Sequence, residues 1–308
     1  MSSEGRGRAI SYDCIIIGGG IAGLQASIQL GRYKRSILLL DSEDGRSSLC
    51  KNYNNILGFS KGVSGKYLRE EGRKQAAEYG VEILNDEVVN VRKEKQQFLI
   101  ETRRDRKFKG KTMLLATGVK DHIPSIPGIL PCLGSSIYIC PDCDGYEISN
   151  KKTFILGSGM TGVSMALRLL YWSQDLTYIN HGEGEVKEEA IRNLQRHNIA
   201  YINHPLIEVK HVHGKFLGIQ LTDGSYLEGE KAFVAFGGNK VRSDLAAQLE
   251  AEMNANNHIA IDPTTRMTTI NNLWAAGDAA SHSELVTAAM ADGSVAAIWI
   301  QKRLNNEF

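Results

Sequence analysis

The chain alternates short β-branched apolar runs with glycine turns and helix-spaced apolar positions, and it does so twice. From Asp13 the order DCIIIGGGIAGLQASIQL gives an apolar run, a glycine cluster, then apolar residues at the spacing of a helix. A second run, Ser36 to Leu40, follows and ends at Asp41. Strand, turn, helix and strand make a βαβ unit, which calls for a right-handed crossover and a parallel sheet. Near Thr153 the same grammar restarts in TFILGSGMTGVSMALRLLYWSQDLTYIN. Two such openings predict an α/β chain with two doubly wound, Rossmann-like nucleotide-binding domains.

Between the openings, Gly65 to Gly80 has helical spacing, and alternation over Val81–Val91 and Phe98–Thr102 predicts strands. The stretch DHIPSIPGILPCLG, with Pro124, Pro127 and Pro131, has the composition of an inter-domain connection. Beyond the second opening the pattern predicts a helix near Val186–His197 and strands around Ala200–Val212 and Phe216–Leu221. A turn at Asp223-Gly224 and a last helix from about Glu284 to Leu304 follow.

Composition narrows the class. Hydrophobic residues are 42% and charged residues 23% of 308, which is enough apolar surface for a folded core. Lys plus Arg total 36 against 35 for Asp plus Glu, with no long block of one sign, so there is no electrostatic case for a nucleic-acid or acidic-membrane partner. No window approaches the ~18 apolar residues of a membrane span, and the start MSSEGRGRAISYD lacks a secretory h-region, so the expected location is cytoplasmic. Five cysteines, an odd number, do not suggest a disulfide framework.

Gly18, Gly20 and Gly23 form G-x-G-x-x-G directly after a predicted strand. The first glycine permits the tight turn, the second lets a pyrophosphate approach the backbone, and the third lets helix and strand pack closely. Asp41, at the end of the next strand, is placed to accept hydrogen bonds from an adenosine ribose. Gly157, Gly159 and Gly162 repeat the pattern, but the strand after them runs into Asn180-His181-Gly182-Glu183-Gly184-Glu185, with no arginine until Arg192. A 2′-phosphate would need an arginine there, whereas Glu183 or Glu185 suits a free hydroxyl, so NADPH is not supported.

Cys140-Pro141-Asp142-Cys143 is a C-x-x-C without a second pair at zinc spacing, which disfavours a metal site and predicts a redox dithiol. Asp144 follows directly, either as a proton donor or acceptor for thiol–disulfide exchange or as a surface acid capping the next turn. Gly277-Asp278, after the apolar run LWAA, is placed for a cofactor hydroxyl or as a helix cap.

The motifs GGGIAGLQAS, LLATGVK, CPDCDGYE, LGSGMTG and LWAAGD, in this order, resemble those of the low-molecular-weight thioredoxin reductases. The resemblance implies an FAD domain built from residues 1–118 and 245–308, with a nicotinamide-type domain, 119–244, inserted into it and carrying the dithiol. It implies a homodimer, a thioredoxin-like protein or small disulfide as partner, and a dithiol that alternates between flavin and partner. On the same basis Cys143 looks like the thiol facing the isoalloxazine, Cys140 like the one that attacks the partner disulfide, and Asp144 like the proton donor. Gly18, Gly20, Gly23, Asp41 and Asp278 resemble FAD-binding positions, and Ala116-Thr117-Gly118 resembles the strand-end turn near the flavin.

The chain departs from the family in having N-H-G-E-G-E where NADPH-dependent members carry H-R-R-x-x-x-R. NADPH, NADH or no nicotinamide at all are therefore the open electron donors. SLCKNYNNILGF and the GYE after the dithiol are also similar to thioredoxin-reductase-like dithiol oxidases that use oxygen. A flavin redox sensor without nicotinamide turnover is the alternative outside enzyme catalysis.

Overall fold

The computed structural model describes residues 11–182, 184–280 and 283–307. In chain order the first half contains β1 (Ser11–Ile17), α1 (Ile21–Arg32), β2 (Ile37–Asp41), α2 (Gly65–Glu78), β3 (Glu82–Asn85), β4 (Val88–Glu94), β5 (Gln97–Thr102), β6 (Lys107–Leu115), β7 (Val119–Lys120), α3 (Ile129–Cys132), β8 (Ile137–Tyr138) and α4 (Pro141–Asp144). The second half contains β9 (Thr153–Gly157), α5 (Gly159–Leu169), β10 (Leu176–Asn180), α6 (Glu188–Arg196), β11 (Ala200–Ile202), β12 (Leu206–Val212), β13 (Lys215–Leu221), β14 (Tyr226–Glu228), β15 (Lys231–Ala235), β16 (Lys240–Val241), α7 (Asp244–Gln248), β17 (Leu273–Ala275) and α8 (Val286–Leu304).

The chain groups into two compact units, one of Met1–Ser48, Lys66–Lys120 and Lys240–Phe308, the other of Leu49–Gly65 and Asp121–Asn239. The first is built on a seven-stranded sheet of order β3-β2-β1-β6-β5-β4 with β17 also on β6. Strands β3, β2, β1, β6 and β17 run parallel, and β5 and β4 continue the sheet as antiparallel strands. The period of two along each strand sorts its side chains onto two faces. Leu38 and Leu40 enter one core with Ile15 and Ile17, while Ile37 and Leu39 enter the other with Cys14 and Ile16.

Helices α1 and α8 share that second core through Ala22, Ala26, Ala296 and Ala297. Their backbones approach closely at Gly293, where a Cβ would land on the carbonyl oxygen of Ala22. Overpacking of this kind costs about 1–3 kcal/mol. Gly293→Ala is therefore expected to lower the urea midpoint of the first unit by a corresponding amount without changing the slope, as followed by circular dichroism; an unchanged midpoint would show that α1 and α8 part freely.

The second unit has a five-stranded parallel sheet, β11-β10-β9-β15-β8, and an antiparallel three-stranded sheet, β12-β13-β14. Phe154 and Leu156 of β9 face one core and Ile155 the other. The proline-dense stretch expected as a connection is instead packed in this unit: Ile126, Ile129, Cys132 and Leu133 are buried in the core with Phe154 and Phe216. Its Gly128 takes a left-handed φ of 85°, and the next stretch is tied down by Val209 N–H donating to Pro127 O. The sequence division places 49–65 with 1–118, but the contacts of that segment are with 121–239: Asn54 Nδ2 donates to Glu147 Oε1 at 2.9 Å, and Lys51 Nζ to Pro131 O.

Two predicted strands are each split. Val81–Val91 breaks at Asp86, which turns aside to accept Arg106 Nε at 2.8 Å. Ala200–Val212 breaks at Asn203-His204-Pro205, because proline has no N–H to continue a ladder. No helix among the described residues is long and apolar enough to cross a membrane.

Candidate functional site

In the first unit, β1 delivers the chain into the glycine turn and α1 leaves from it. Gly18 takes φ 107°, a conformation that side chains resist, and a Cβ on Gly23 would collide with Gly18 O. Gly20 is the N-cap of α1 and lends it no side-chain hydrogen bond; the first turn holds no acidic residue, and a Cβ on Gly20 would meet nothing within 4 Å. The positive end of the helix is thus left open to an outside anion.

Asp41 stands at the end of β2 with its Oδ2 against Gly19. That oxygen accepts Arg69 Nη2 and Arg73 Nη1, both at 2.9 Å, and Oδ1 accepts Glu43 N–H at 3.1 Å. Arg69 and Arg73 lie one turn apart on α2 and so share a face. Neither belongs to a motif, which is why sequence inspection misses them; their spacing of four is the only signal.

Two further predicted positions lie in the same unit. Asp278 Oδ2 accepts Arg46 Nη1 at 3.2 Å, and the same nitrogen reaches Glu284 Oε2 at 2.6 Å. Gly277, at φ 71°, is held by its N–H donating to buried Asp292 at 3.2 Å. Thr117 donates to the carbonyl of Arg242 at 2.5 Å, and Arg242 in turn grips Asp44 through both of its terminal nitrogens.

These residues fit a flavin dinucleotide. The turn is open above Gly20, Asp41 and Asp278 offer acceptors for hydroxyl groups, and buried Ser47 Oγ and Arg69 Nη1 have no hydrogen-bond partner among the described residues. Buried polar atoms are almost always paired in folded proteins, so such orphans point to an absent group.

In the second unit Cys140 and Cys143 are disulfide-bonded, with Cα atoms 5.3 Å apart. Pro141 opens the single turn α4 with a φ already suited to it, and this turn brings the two sulfurs together. Cys140 is its N-cap, and its Sγ accepts Cys143 N–H at 3.2 Å. Both cysteines are partly exposed. Asp142 between them points away into a two-pronged pair with Arg168 at 2.9 Å.

Asp144 makes no capping hydrogen bond, so the capping alternative does not describe it. Burial pushes its carboxyl up to about 7, the charge of Glu147 pushes the same way, and Lys231 opposes. Burial in turn lowers the Lys231 ammonium. Lys231 Nζ sits 2.7 Å from Tyr138 Oη, and Tyr138 donates to Ser135 O at 2.7 Å. Cys50 feels the charge of Asp144, and burial pushes its thiol up to about 11.

The second glycine turn differs from the first. Gly157 ends β9, and Gly159 and Gly162 lie on α5, as the pattern predicts. Here, however, the Gly159 N–H donates to Asn180 Oδ1 at 2.9 Å, and Tyr178 Oη donates to Gly159 O at 2.8 Å. Asn180 Nδ2 holds Gly184 O at 3.1 Å, and Gly184 lies against Ser158 and Gly159. Gly184 therefore lies over the turn. Glu183, a candidate for a nucleotide hydroxyl, lies outside the described residues; Glu185 is partly exposed.

Residues 12–293 match the profile of the pyridine nucleotide-disulphide oxidoreductases. The chain is 28% identical to the thioredoxin reductase of Rickettsia bellii over 310 residues, covering 96% of this chain and 99% of that one. Among solved structures it superposes on HlmI with a TM-score of 0.87 at 28% identity, covering 98% and 96% of the two chains. On the putative thioredoxin reductase TrxB of Bacillus anthracis the TM-score is 0.83 at 27% identity, covering 96% and 99%. With the glycine turns, the parallel sheets and the dithiol in place, the chain belongs to the pyridine nucleotide-disulphide oxidoreductase family and is a thioredoxin reductase-like flavoprotein disulfide oxidoreductase within it.

Proposed function

We propose that this protein is an FAD-dependent thiol–disulfide oxidoreductase that moves two electrons between the flavin and the Cys140–Cys143 pair, and exchanges them with a dithiol or disulfide partner. The observation that carries the proposal is the partly exposed Cys140–Cys143 disulfide with half-buried Asp144 directly after it. In the oxidising direction a substrate thiolate attacks Cys140 Sγ, the bond to Cys143 breaks, and the substrate's second thiol displaces Cys140. The substrate leaves as a disulfide, and the cysteines hold two electrons and two protons. The two-electron redox chemistry that links this dithiol to a terminal acceptor such as dioxygen would be supplied by bound FAD. Gly18, Gly20, Gly23, Asp41, Thr117, Gly277 and Asp278 would hold it. A thioredoxin-like protein and a small dithiol are both partners of this chemistry, and a homodimer in the cytoplasm belongs to the same proposal.

A specific observation favours electron entry from the dithiol over entry from NADPH or NADH. The Gly159 N–H that would bind a dinucleotide phosphate already donates to Asn180, and Gly184 covers the turn. Opening it costs that buried hydrogen bond before any ligand is gained. In anaerobic stopped flow, a small dithiol is expected to bleach the flavin band at least about a hundredfold faster than NADPH or NADH, a difference of ~2.7 kcal/mol in barrier. Rapid saturable bleaching by either nucleotide would overturn this direction and make the protein a nicotinamide-driven reductase.

A further inference from the structure

We propose that Arg69 Nη1 and Ser47 Oγ form an anion-recognising pair that takes a phosphate oxygen of the bound flavin dinucleotide, which makes Arg69 a determinant of FAD affinity. The inference rests on the FAD reading above.

Asp41 faces two guanidinium groups, Arg69 and Arg73, so this trio carries one positive charge in excess. Arg73 is a quarter exposed and can be screened by water, whereas the Arg69 side chain is 10% exposed. Only Nη2 of Arg69 is engaged with Asp41; Nη1 is buried without a partner among the described residues. Among the described residues, Ser47 Oγ is a buried hydroxyl in the same state. A methyl built on Gly45 would stand 3.9 Å from each of the two atoms, so both donors border the same space beside Gly45.

That place adjoins the glycine turn, because the Asp41 Oδ2 gripped by Arg69 is the oxygen lying against Gly19. The open end of α1 begins one residue later, with no acidic side chain in its first turn. Helix end, excess guanidinium charge and an orphan hydroxyl all favour negative charge. A ribose hydroxyl would satisfy Ser47 and leave the excess charge unanswered. A phosphate oxygen answers both, and Arg matches phosphate geometry better than any other side chain.

The test uses the full-length holoenzyme. FAD release is followed after dilution by the rise in free-flavin fluorescence, with the flavin-to-protein ratio of the purified enzyme as a second readout. Arg69→Met is expected to weaken FAD retention at least about tenfold, Arg69→Lys less, and Ser47→Ala about threefold, in the range of one charged and one neutral hydrogen bond. Asp41→Asn separates contact from positioning. If Arg69 touches the phosphate, Arg69→Met weakens retention further when Asp41 is already Asn. If Arg69 serves only to hold Asp41, the double variant equals Asp41→Asn alone and the proposal falls. Should Arg69→Met not fold, Ser47→Ala decides: FAD retention unchanged from wild type overturns the pairing. Wild-type protein purified without flavin would instead refute the FAD reading itself, a separate failure.

Discussion

Cys143→Ser and Cys140→Ser enzymes, each purified with flavin bound, are both expected to lose dithiol–disulfide turnover by more than about a thousandfold, because no other group in the active pair can form the covalent intermediate. The three remaining cysteines do not substitute. Cys14 and Cys132 are buried, and burial pushes the thiol of Cys50 up to about 11, far from the thiolate that exchange requires. The two variants differ in what they trap. If Cys140 is the thiol that meets the partner, Cys143→Ser leaves its thiolate free to attack the oxidised, disulfide form of the substrate. The substrate S–S bond breaks as the mixed disulfide forms, and with no second enzyme thiol to displace it the adduct is seen as a mass increase equal to the attached substrate. Cys140→Ser gives no such adduct. Turnover within tenfold of wild type in both variants would mean that the pair is structural; an adduct on Cys140→Ser alone would exchange the two roles.

The elements that sequence made legible share one property: their chemistry is written in short, local spacing. G-x-G-x-x-G dictates both its turn and its helix, so Gly18, Gly20 and Gly23 take their places at the start of α1, and Gly157, Gly159 and Gly162 flank the start of α5. C-x-x-C closes its own ring. What sequence could not reveal is set by contacts made between distant segments. Arg69 reaches Asp41 across 28 positions, and Asn180 reaches the Gly159 amide across 21. The two glycine motifs are the same in spelling, yet one is left open and Gly184 lies over the other. The difference lies in Asn180 and Gly184, residues that no nucleotide fingerprint includes. The loop after Asn180 has no arginine for a 2′-phosphate, and the contacts of Asn180 and Gly184 at Gly159 support the proposed electron entry from the dithiol. The proline-dense stretch differs in the other direction: Ile126 and Ile129 are buried in a core, because proline density marks breaks in regular structure and says nothing about burial.

The largest pH effect is expected at Asp144. Its carboxyl is raised to about 7, first by burial and then by Glu147, while Lys231 holds it down. Around it Tyr138 and Cys50 are also pushed up, so near neutral pH Asp144 is the group in this cluster poised to change charge. In dithiol oxidation the carboxylate accepts a proton, so the rate should rise with pH with a midpoint near 7; in disulfide reduction the acid donates, so the rate should fall through the same midpoint. Asp144→Asn is expected to cost about a hundredfold in either direction, the scale of one general acid–base group, and to erase that limb, leaving only the ionisation of the substrate thiol. Stability carries its own sign. A carboxyl raised by folding stabilises most below its unfolded value and loses that contribution as pH rises through about 7. Asp144→Asn should therefore melt closer to wild type at pH 5 than at pH 8, with the variant gaining relative to wild type as the pH increases. A rate limb near 7 that survives in Asp144→Asn would assign the proton to another group, and a melting difference independent of pH would show that Asp144 is already ionised in the folded protein.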